Sequence, residues 1–294
     1  MSIYNLGSIN ADHFYQVPHL PEPGETLAAT GHHTGLGGKG ANQSVAAVLA
    51  GSKVIHIGAI GPDGDWARIQ LEKFGVDISY VDTVKTPTAH AIINVDQAGE
   101  NAIVIFPGAN QKQSLIRAKM AIDKAKSGDI LLLQNETNLQ PKLAEYAQKL
   151  GLFVVYSAAP FAPDAVREML PHTDLLVVND VEASQIAKVL GLSLADIPVA
   201  NVLVTHGANG STWHDLHDGG TFQMPAFPVT PVDTTGAGDC FIGYTAAGLD
   251  QGLSAKDAMR LGAGAAALQV TRQGTAAAIP TRAEVDDFLT KRLT

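Results

Sequence analysis

The segment Asp233-Thr234-Thr235-Gly236-Ala237-Gly238-Asp239-Cys240-Phe241 holds the residues best suited to chemistry. It follows a Pro-rich loop and opens a run of small and apolar residues, Cys240–Leu249, which reads as a loop feeding a buried helix. Gly236 and Gly238, with only Ala237 between them, leave backbone N–H groups uncovered at the start of that helix. Such N–H groups, together with the helix dipole, bind anions. Asp239 lies beside that position. A carboxylate next to a phosphate repels it, so the role that fits is a base taking the proton of an attacking hydroxyl. A plain tight turn with Asp239 as N-cap would use the same residues.

Four further segments offer polar groups at the ends of elements. Gly35, Gly37 and Gly40 match G-x-G-x-x-G. A dinucleotide fingerprint does not fit, because Ala28–Thr34 is a poor strand and the motif is not the first strand–helix turn of the chain. A Walker A loop does not fit either, because Gly40 follows Lys39 where Ser or Thr is required. What remains is a Gly-rich helix entrance with Lys39 and Asn42 one turn apart on one face. Asn10 and Asp12, two apart beyond the first strand, can face one side of an extended chain and address vicinal hydroxyls, although an isolated Asn-x-Asp is more often a turn. In Asn179-Asp180-Val181-Glu182, Asn179 and Glu182 have capping-box spacing, and Glu182 could also hold a hydrated Mg²⁺ through its waters. The strand and Gly-rich turn Val204–Gly210 suit a backbone passing under a nucleotide. The ten histidines show no zinc-ligand spacing, and Cys240 reads as a small helix-core residue.

These segments need a scaffold that gathers them. Short apolar runs at Val54–Ala59, Ile130–Leu133, Phe153–Ser157, Leu175–Val178 and Val202–Thr205 have the length of buried strands. Between them lie amphipathic stretches such as Gln111–Lys126, Pro141–Leu150, Val181–Leu190 and Ser254–Leu268. Gly51, Gly151 and Gly191 stand where helices end. The alternation predicts a three-layer α/β domain over 1–294, with a mostly parallel central sheet covered by helices on both faces. Two stretches break the rhythm. One is the Pro- and Gly-rich Asp12–His32. The other is His90–Phe106, which reads as strands Ala91–Val95 and Ala102–Phe106 around the turn 96–99. Together they predict a small antiparallel accessory sheet, with two ordinary surface hairpins as the alternative.

Composition bounds the rest. A chain of 294 residues that is 46% hydrophobic can bury a large core. A net charge of −9 offers no basic face for nucleic acid. One cysteine permits no intrachain disulfide and suits a reducing, cytoplasmic setting. The first residues read as a strand and not as a signal peptide, and no apolar stretch of about 18 residues predicts a membrane span.

In order and spacing, the five segments resemble the ribokinase-like (PfkB) sugar kinases over essentially the whole chain. Gly7–Asp12 and Gly37–Gln43 resemble the family's sugar-binding motifs, and Asp233–Asp239 resembles its second signature. The resemblance implies transfer of the γ-phosphate of ATP to the primary hydroxyl of D-ribose. Asp239 would be the base, with the Gly236-Ala237-Gly238 N–H groups around the phosphate. It places Asn10, Asp12, Gly38, Lys39, Asn42 and Glu136 on the sugar, and Asn179, Thr205, Gly207 and Gly210 at the nucleotide. Glu182 would stand near Mg²⁺. Asp233 and Thr235, with backbone from Gln269, Arg272 and Gly274, would hold K⁺. The accessory sheet would be a lid over the sugar and the interface of a homodimer. Leu261–Ala265 lacks the Asn or His that often lies by the adenine in relatives. Two other functions compete: a kinase of the same family for deoxyribose, a fructose derivative or a nucleoside, and a sugar-binding sensor without catalysis. A sensor would be expected to lose Asp239, Gly236 or Gly238 first, and all three are present.

Overall fold

The structure is a computed structural model that describes residues 1–292. The chain opens with β1 (Ser2–Leu6), β2 (Asn10–Gln16), β3 (Gly31–Gly37) and α1 (Lys39–Leu49). Next come β4 (Lys53–Ile60), α2 (Asp65–Lys73), β5 (Asp77–Thr83), β6 (Ala89–Val95) and β7 (Asn101–Phe106). The middle of the chain holds α3 (Leu115–Ile122), β8 (Ile130–Gln134), α4 (Gln140–Lys149), β9 (Phe153–Ser157), α5 (Pro163–Met169), β10 (Leu175–Asn179) and α6 (Asp180–Leu190). It ends with β11 (Asn201–Thr205), β12 (Ser211–Asp215), β13 (Thr221–Met224), α7 (Ala237–Asp250), α8 (Ala255–Gln269) and α9 (Arg282–Thr290).

Nine strands form the central sheet in the order β13-β12-β11-β10-β9-β8-β1-β4-β5. The strands from β11 to β5 pair in parallel, and β12 and β13 add an antiparallel edge. The parallel strands read as unbroken apolar runs because both faces are buried. Successive side chains go to opposite cores: Ile130, Leu132, Val155, Leu175, Val177 and Leu203 to one, and Leu131, Leu133, Val154, Leu176, Val202 and Val204 to the other. The first core packs under α1, α7 and α8, and the second under α3, α4, α5 and α6. Small residues bring α7 close to its neighbours, and Cys240 is buried in it. The expected helix over Gln111–Lys126 is shorter: a 3₁₀ turn covers Gly108–Lys112, and α3 starts only after its N-cap Ser114.

The second sheet has the order β3-β2-β6-β7. It corrects two expectations. The sheet is mixed and not purely antiparallel, because β2 and β6 pair in parallel from Asn10↔Ala89 to Gln16↔Val95. The stretch before Lys39 is also not a poor strand. Gly31–Gly37 is β3, paired along its whole length with β2. The dinucleotide reading still fails, because β3 belongs to the accessory sheet and so does not open a strand–helix–strand unit of the central one. Among the described residues no helix is long and apolar enough to cross a membrane.

Candidate active site

In the central sheet, β1 neighbours β4 on one side and β8 on the other, so the strand order reverses at β1. Ligands of open α/β sheets bind beyond the carboxyl ends of strands at such a point. The residues that follow β1 and β8 meet there. Ser8 Oγ donates to Glu136 Oε2 at 2.5 Å and accepts from Gly40 N–H at 3.1 Å. Glu136 Oε2 also accepts Lys39 N–H at 3.0 Å, so this carboxylate sits on the N-terminus of α1, where the dipole favours a negative charge. Gly38, the N-cap of α1, has φ 91° and lies against Ser8 and Asn10.

Asp12 is buried on β2 against Gly37, and a Cβ at Gly37 would collide with its carboxylate. A larger residue at that position would have to displace the Asp12 carboxylate. Burial, followed by the charges of Glu136 and Asp239, pushes the Asp12 carboxyl up to about 7. Lys39 is half-buried and its ammonium is held charged, first by Asp239 and then by Glu136 and Glu182, against the cost of burial.

Asp239 occupies the third position of α7, not the N-cap. Gly236 is the N-cap, with φ 75°, and supplies no side chain. Ala237 N–H donates to Thr234 O at 3.2 Å, so this N–H closes the turn and is not uncommitted as expected. The Asp239 carboxylate is buried between two amides of α1: Asn42 Nδ2 donates to Oδ2 at 3.2 Å and Gln43 Nε2 to Oδ1 at 2.9 Å. Among the described residues, Asn42 Oδ1 is buried without a partner.

Gln43 is the end of an amide chain that the motif reading did not assign. Asn5 Nδ2 donates to Gly40 O at 2.9 Å and to Ser44 Oγ at 2.8 Å, so Asn5 Oδ1 must accept. It accepts from Gln134 Nε2 at 3.0 Å, which also donates to Gln43 Oε1 at 2.7 Å. This order leaves Gln43 only its NH₂ for Asp239. Polar Asn5 and Gln134 in otherwise apolar strands were the available signal.

A cavity of about 480 Å³ adjoins this cluster. Asn179, Thr205, Gly207 and Gly210 line it, as expected of a nucleotide site, together with Thr234, Ala237 and Gly238. Its other wall is Phe227, Pro228, Val229, Ala263, Ala266 and Ala267, apolar groups that no motif singled out. Ala263 lies inside the stretch that lacks Asn and His, so that wall is apolar. Asn179, part of that lining, forms the capping box of α6 with Glu182, at 2.8 Å and 2.9 Å. The Glu182 carboxyl is raised by burial, lowered by Asn179 N–H and Lys39, and raised again by Asp239. A somewhat larger groove, about 530 Å³, lies at the opposite, amino ends of β1, β4 and β5 beside Met1, Lys53 and Asp129, and holds none of the predicted residues.

The expected cation residues cluster in part. Asp233 Oδ1 accepts Thr235 N–H at 2.9 Å, and Oδ2 accepts Gly274 N–H at 3.0 Å. Gln269 Nε2 donates to Thr235 O at 3.1 Å, while Gln269 Oε1 is buried without a partner among the described residues. Arg272 turns away and pairs with Glu284 at 2.7 Å. Among the described residues no group of three or more His, Cys, Asp or Glu could hold a metal by itself.

An anion-ready helix start, a buried carboxylate beside it and a polar pocket on the other side are an arrangement suited to phosphoryl transfer. Residues 2–282 match the pfkB family carbohydrate kinase signature, and the chain belongs to this family of sugar kinases. It is 36% identical over 302 residues to the ribokinase of Haemophilus influenzae, covering 97% of each chain. It is 32% identical over 304 residues to the deoxyribokinase of Salmonella typhi, covering 98% of this chain and 99% of that one. Its fold superposes on the Arabidopsis thaliana ribokinase complexed with ribose and ATP with a TM-score of 0.86, at 29% identity and 98% coverage of both chains.

Proposed function

We propose that the protein transfers the γ-phosphoryl group of ATP to the primary hydroxyl of D-ribose, with Asp239 as the base. The observation that carries this reading is the position of Asp239. Its carboxylate is buried against Asn42 and Gln43 of α1, follows directly on Ala237 and Gly238 of the cavity lining, and lies close enough to Asp12 and Lys39 for its charge to act on both. ATP enters that cavity, with its phosphates at the start of α7 and its base between Phe227 and the alanines of α8. The sugar enters the pocket beside it, where Asp12, Lys39, Asn42 and Glu136 meet its hydroxyls. Asp239 then takes the hydroxyl proton late in a loose transition state, while positioned N–H groups and Lys39 balance the charge on the moving phosphoryl group. Water leaves as the accessory sheet closes over the sugar.

Two ions belong to the same reading. Glu182, half-buried and able to feel both Lys39 and Asp239, would hold a Mg²⁺ through its waters, and the ion would neutralise phosphate charge. Asp233, Thr235 and Gln269, with the 272–274 turn, would hold K⁺. The unpartnered Gln269 Oε1 and the Asp233 carboxylate are the oxygen donors such an ion requires.

The test is ADP release with ATP and Mg²⁺ against D-ribose, 2-deoxy-D-ribose, fructose and a nucleoside. D-ribose is expected to give the highest kcat/KM, and preference for another acceptor would overturn the substrate assignment. Asp239→Asn is expected to lose roughly 10²–10⁴ in kcat with little change in ATP affinity. A kcat near that of the wild type would remove the base from the mechanism.

A further inference from the structure

Asn110 sits in the 3₁₀ turn Gly108–Lys112, between the accessory strand β7 and α3. It is 2% exposed. Its side chain makes two hydrogen bonds. Oδ1 accepts the N–H of Ile9 at 3.0 Å, and Nδ2 donates to Asn10 Oδ1 at 2.8 Å. A backbone N–H can only donate, so the end of the Asn110 amide facing Ile9 must be its oxygen. The end facing Asn10 is therefore the NH₂. Asn10 in turn must direct its oxygen at Asn110 and its NH₂ away from it. Among the described residues, Asn10 Nδ2 makes no hydrogen bond to protein, and Asn10 shares one face of β2 with Asp12.

We infer that Asn110 is a positioning residue that locks Asn10 with both amide N–H donors toward the sugar. The pocket then presents donors at Asn10 and an acceptor at the Asp12 carboxylate. Neighbouring hydroxyls satisfy that pair, one accepting from Asn10 and one donating to Asp12. A free Asn side chain could turn either end to the sugar at similar cost, and a locked one cannot. Because Asn110 directly follows the accessory sheet, the lock also ties the sugar contact to the position of that sheet. The inference rests on the reading of Asn10 as a sugar contact.

Asn110→Asp tests it. One oxygen of the new side chain still accepts from Ile9, but the other cannot donate, so Asn10 regains its bond only by turning its NH₂ toward residue 110 and its oxygen toward the sugar. The KM for D-ribose, or for whichever sugar the wild type prefers, is expected to rise about 10- to 100-fold, the loss that follows when a buried polar group is left unpaired. The KM for ATP and kcat should stay within about threefold. Asn110→Ala, which frees Asn10 without reversing it, should raise the sugar KM less and serves if the Asp variant does not fold. Asn10→Asp separates the two claims, since it keeps the bond to Asn110 and swaps the donor facing the sugar for an acceptor. If Asn10→Asp leaves the sugar KM unchanged, Asn10 is not a sugar contact. If it raises that KM while Asn110→Asp and Asn110→Ala leave it unaltered, or lower kcat and both KM values together, the lock is refuted.

Discussion

Asp12 is the carboxyl of the candidate site that burial and neighbouring charge raise furthest. Its ordinary carboxyl value of 3.8 is raised to about 7 by burial and by the nearby charges of Glu136 and Asp239. The folded value lies above the unfolded one, so the native state holds a proton that the unfolded chain has released. The stability contributed by this group is complete below about pH 4 and is lost as pH rises through 7. Replacing the carboxyl by an amide of the same shape removes that loss. Asp12→Asn is therefore expected to stabilise the ligand-free protein at pH 8 by on the order of 1–3 kcal/mol and to change little at pH 4.5. Thermal unfolding at the two pH values measures this, and a difference independent of pH would show that Asp12 is ionised throughout.

At the scale of elements, the contact of α1 with α7 brings Asn42 and Gln43 to Asp239. A Cβ at Gly243 would lie 2.5 Å from Ala46 Cβ and 2.6 Å from Gln43 O, so only glycine there lets the two helices meet closely enough for Asn42 and Gln43 to reach Asp239. The loop before α7 is tied down separately. Asp233 joins it to the 272–274 turn through the N–H groups of Thr235 and Gly274. These two bonds are what a turn cap would make, and Arg272, the alternative partner, is engaged with Glu284. A monovalent cation at this junction would add oxygen coordination to the same carboxylate and hold the loop that presents the helix start. Exchanging Na⁺ for K⁺ at constant ionic strength and fixed Mg²⁺ should raise the rate several-fold, and Asp233→Asn should blunt the response. Equal rates in Na⁺, K⁺ and a bulky organic cation would show that the two N–H bonds alone fix the loop.

At the scale of the molecule, the accessory sheet is the feature that a single copy leaves unfinished. All six residues of its edge strand β7 are exposed, among them Val104 at 69% and Phe106 at 42%. An edge with free pairing groups and large apolar side chains is poorly stable in water and recruits a partner. The opposite face of the sheet already packs Asp12, Ala91 and Ile93 toward the site. His13, His32, His90 and Phe106 associate ring to ring elsewhere on the sheet, where a second copy would complete the cover. A homodimer through this sheet is expected at micromolar concentration in sedimentation velocity, and charged substitutions at Val104 and Phe106 should convert it to a monomer. A wild-type protein that sediments as a monomer would contradict the assignment.

The amino-acid sequence by itself determined the parallel three-layer architecture, because strands buried on both faces must be continuously apolar and the helices between them must be amphipathic. It also marked the helix start at Gly236–Asp239 and the capping box Asn179–Glu182, since both are local chemistry within a few residues. What it left open involves partners far apart in the chain. The parallel pairing of β2 with β6 joins segments about 80 residues apart, and hairpin logic favours only antiparallel neighbours. The amides of Gln134 and Gln43 lie 91 residues apart, and those of Asn110 and Asn10 100 apart. Only the folded chain decides which buried polar group satisfies which. The apolar wall of Phe227 and the α8 alanines was silent for a related reason: in a chain rich in buried alanine, nothing local separates one that packs a core from one that lines a cavity.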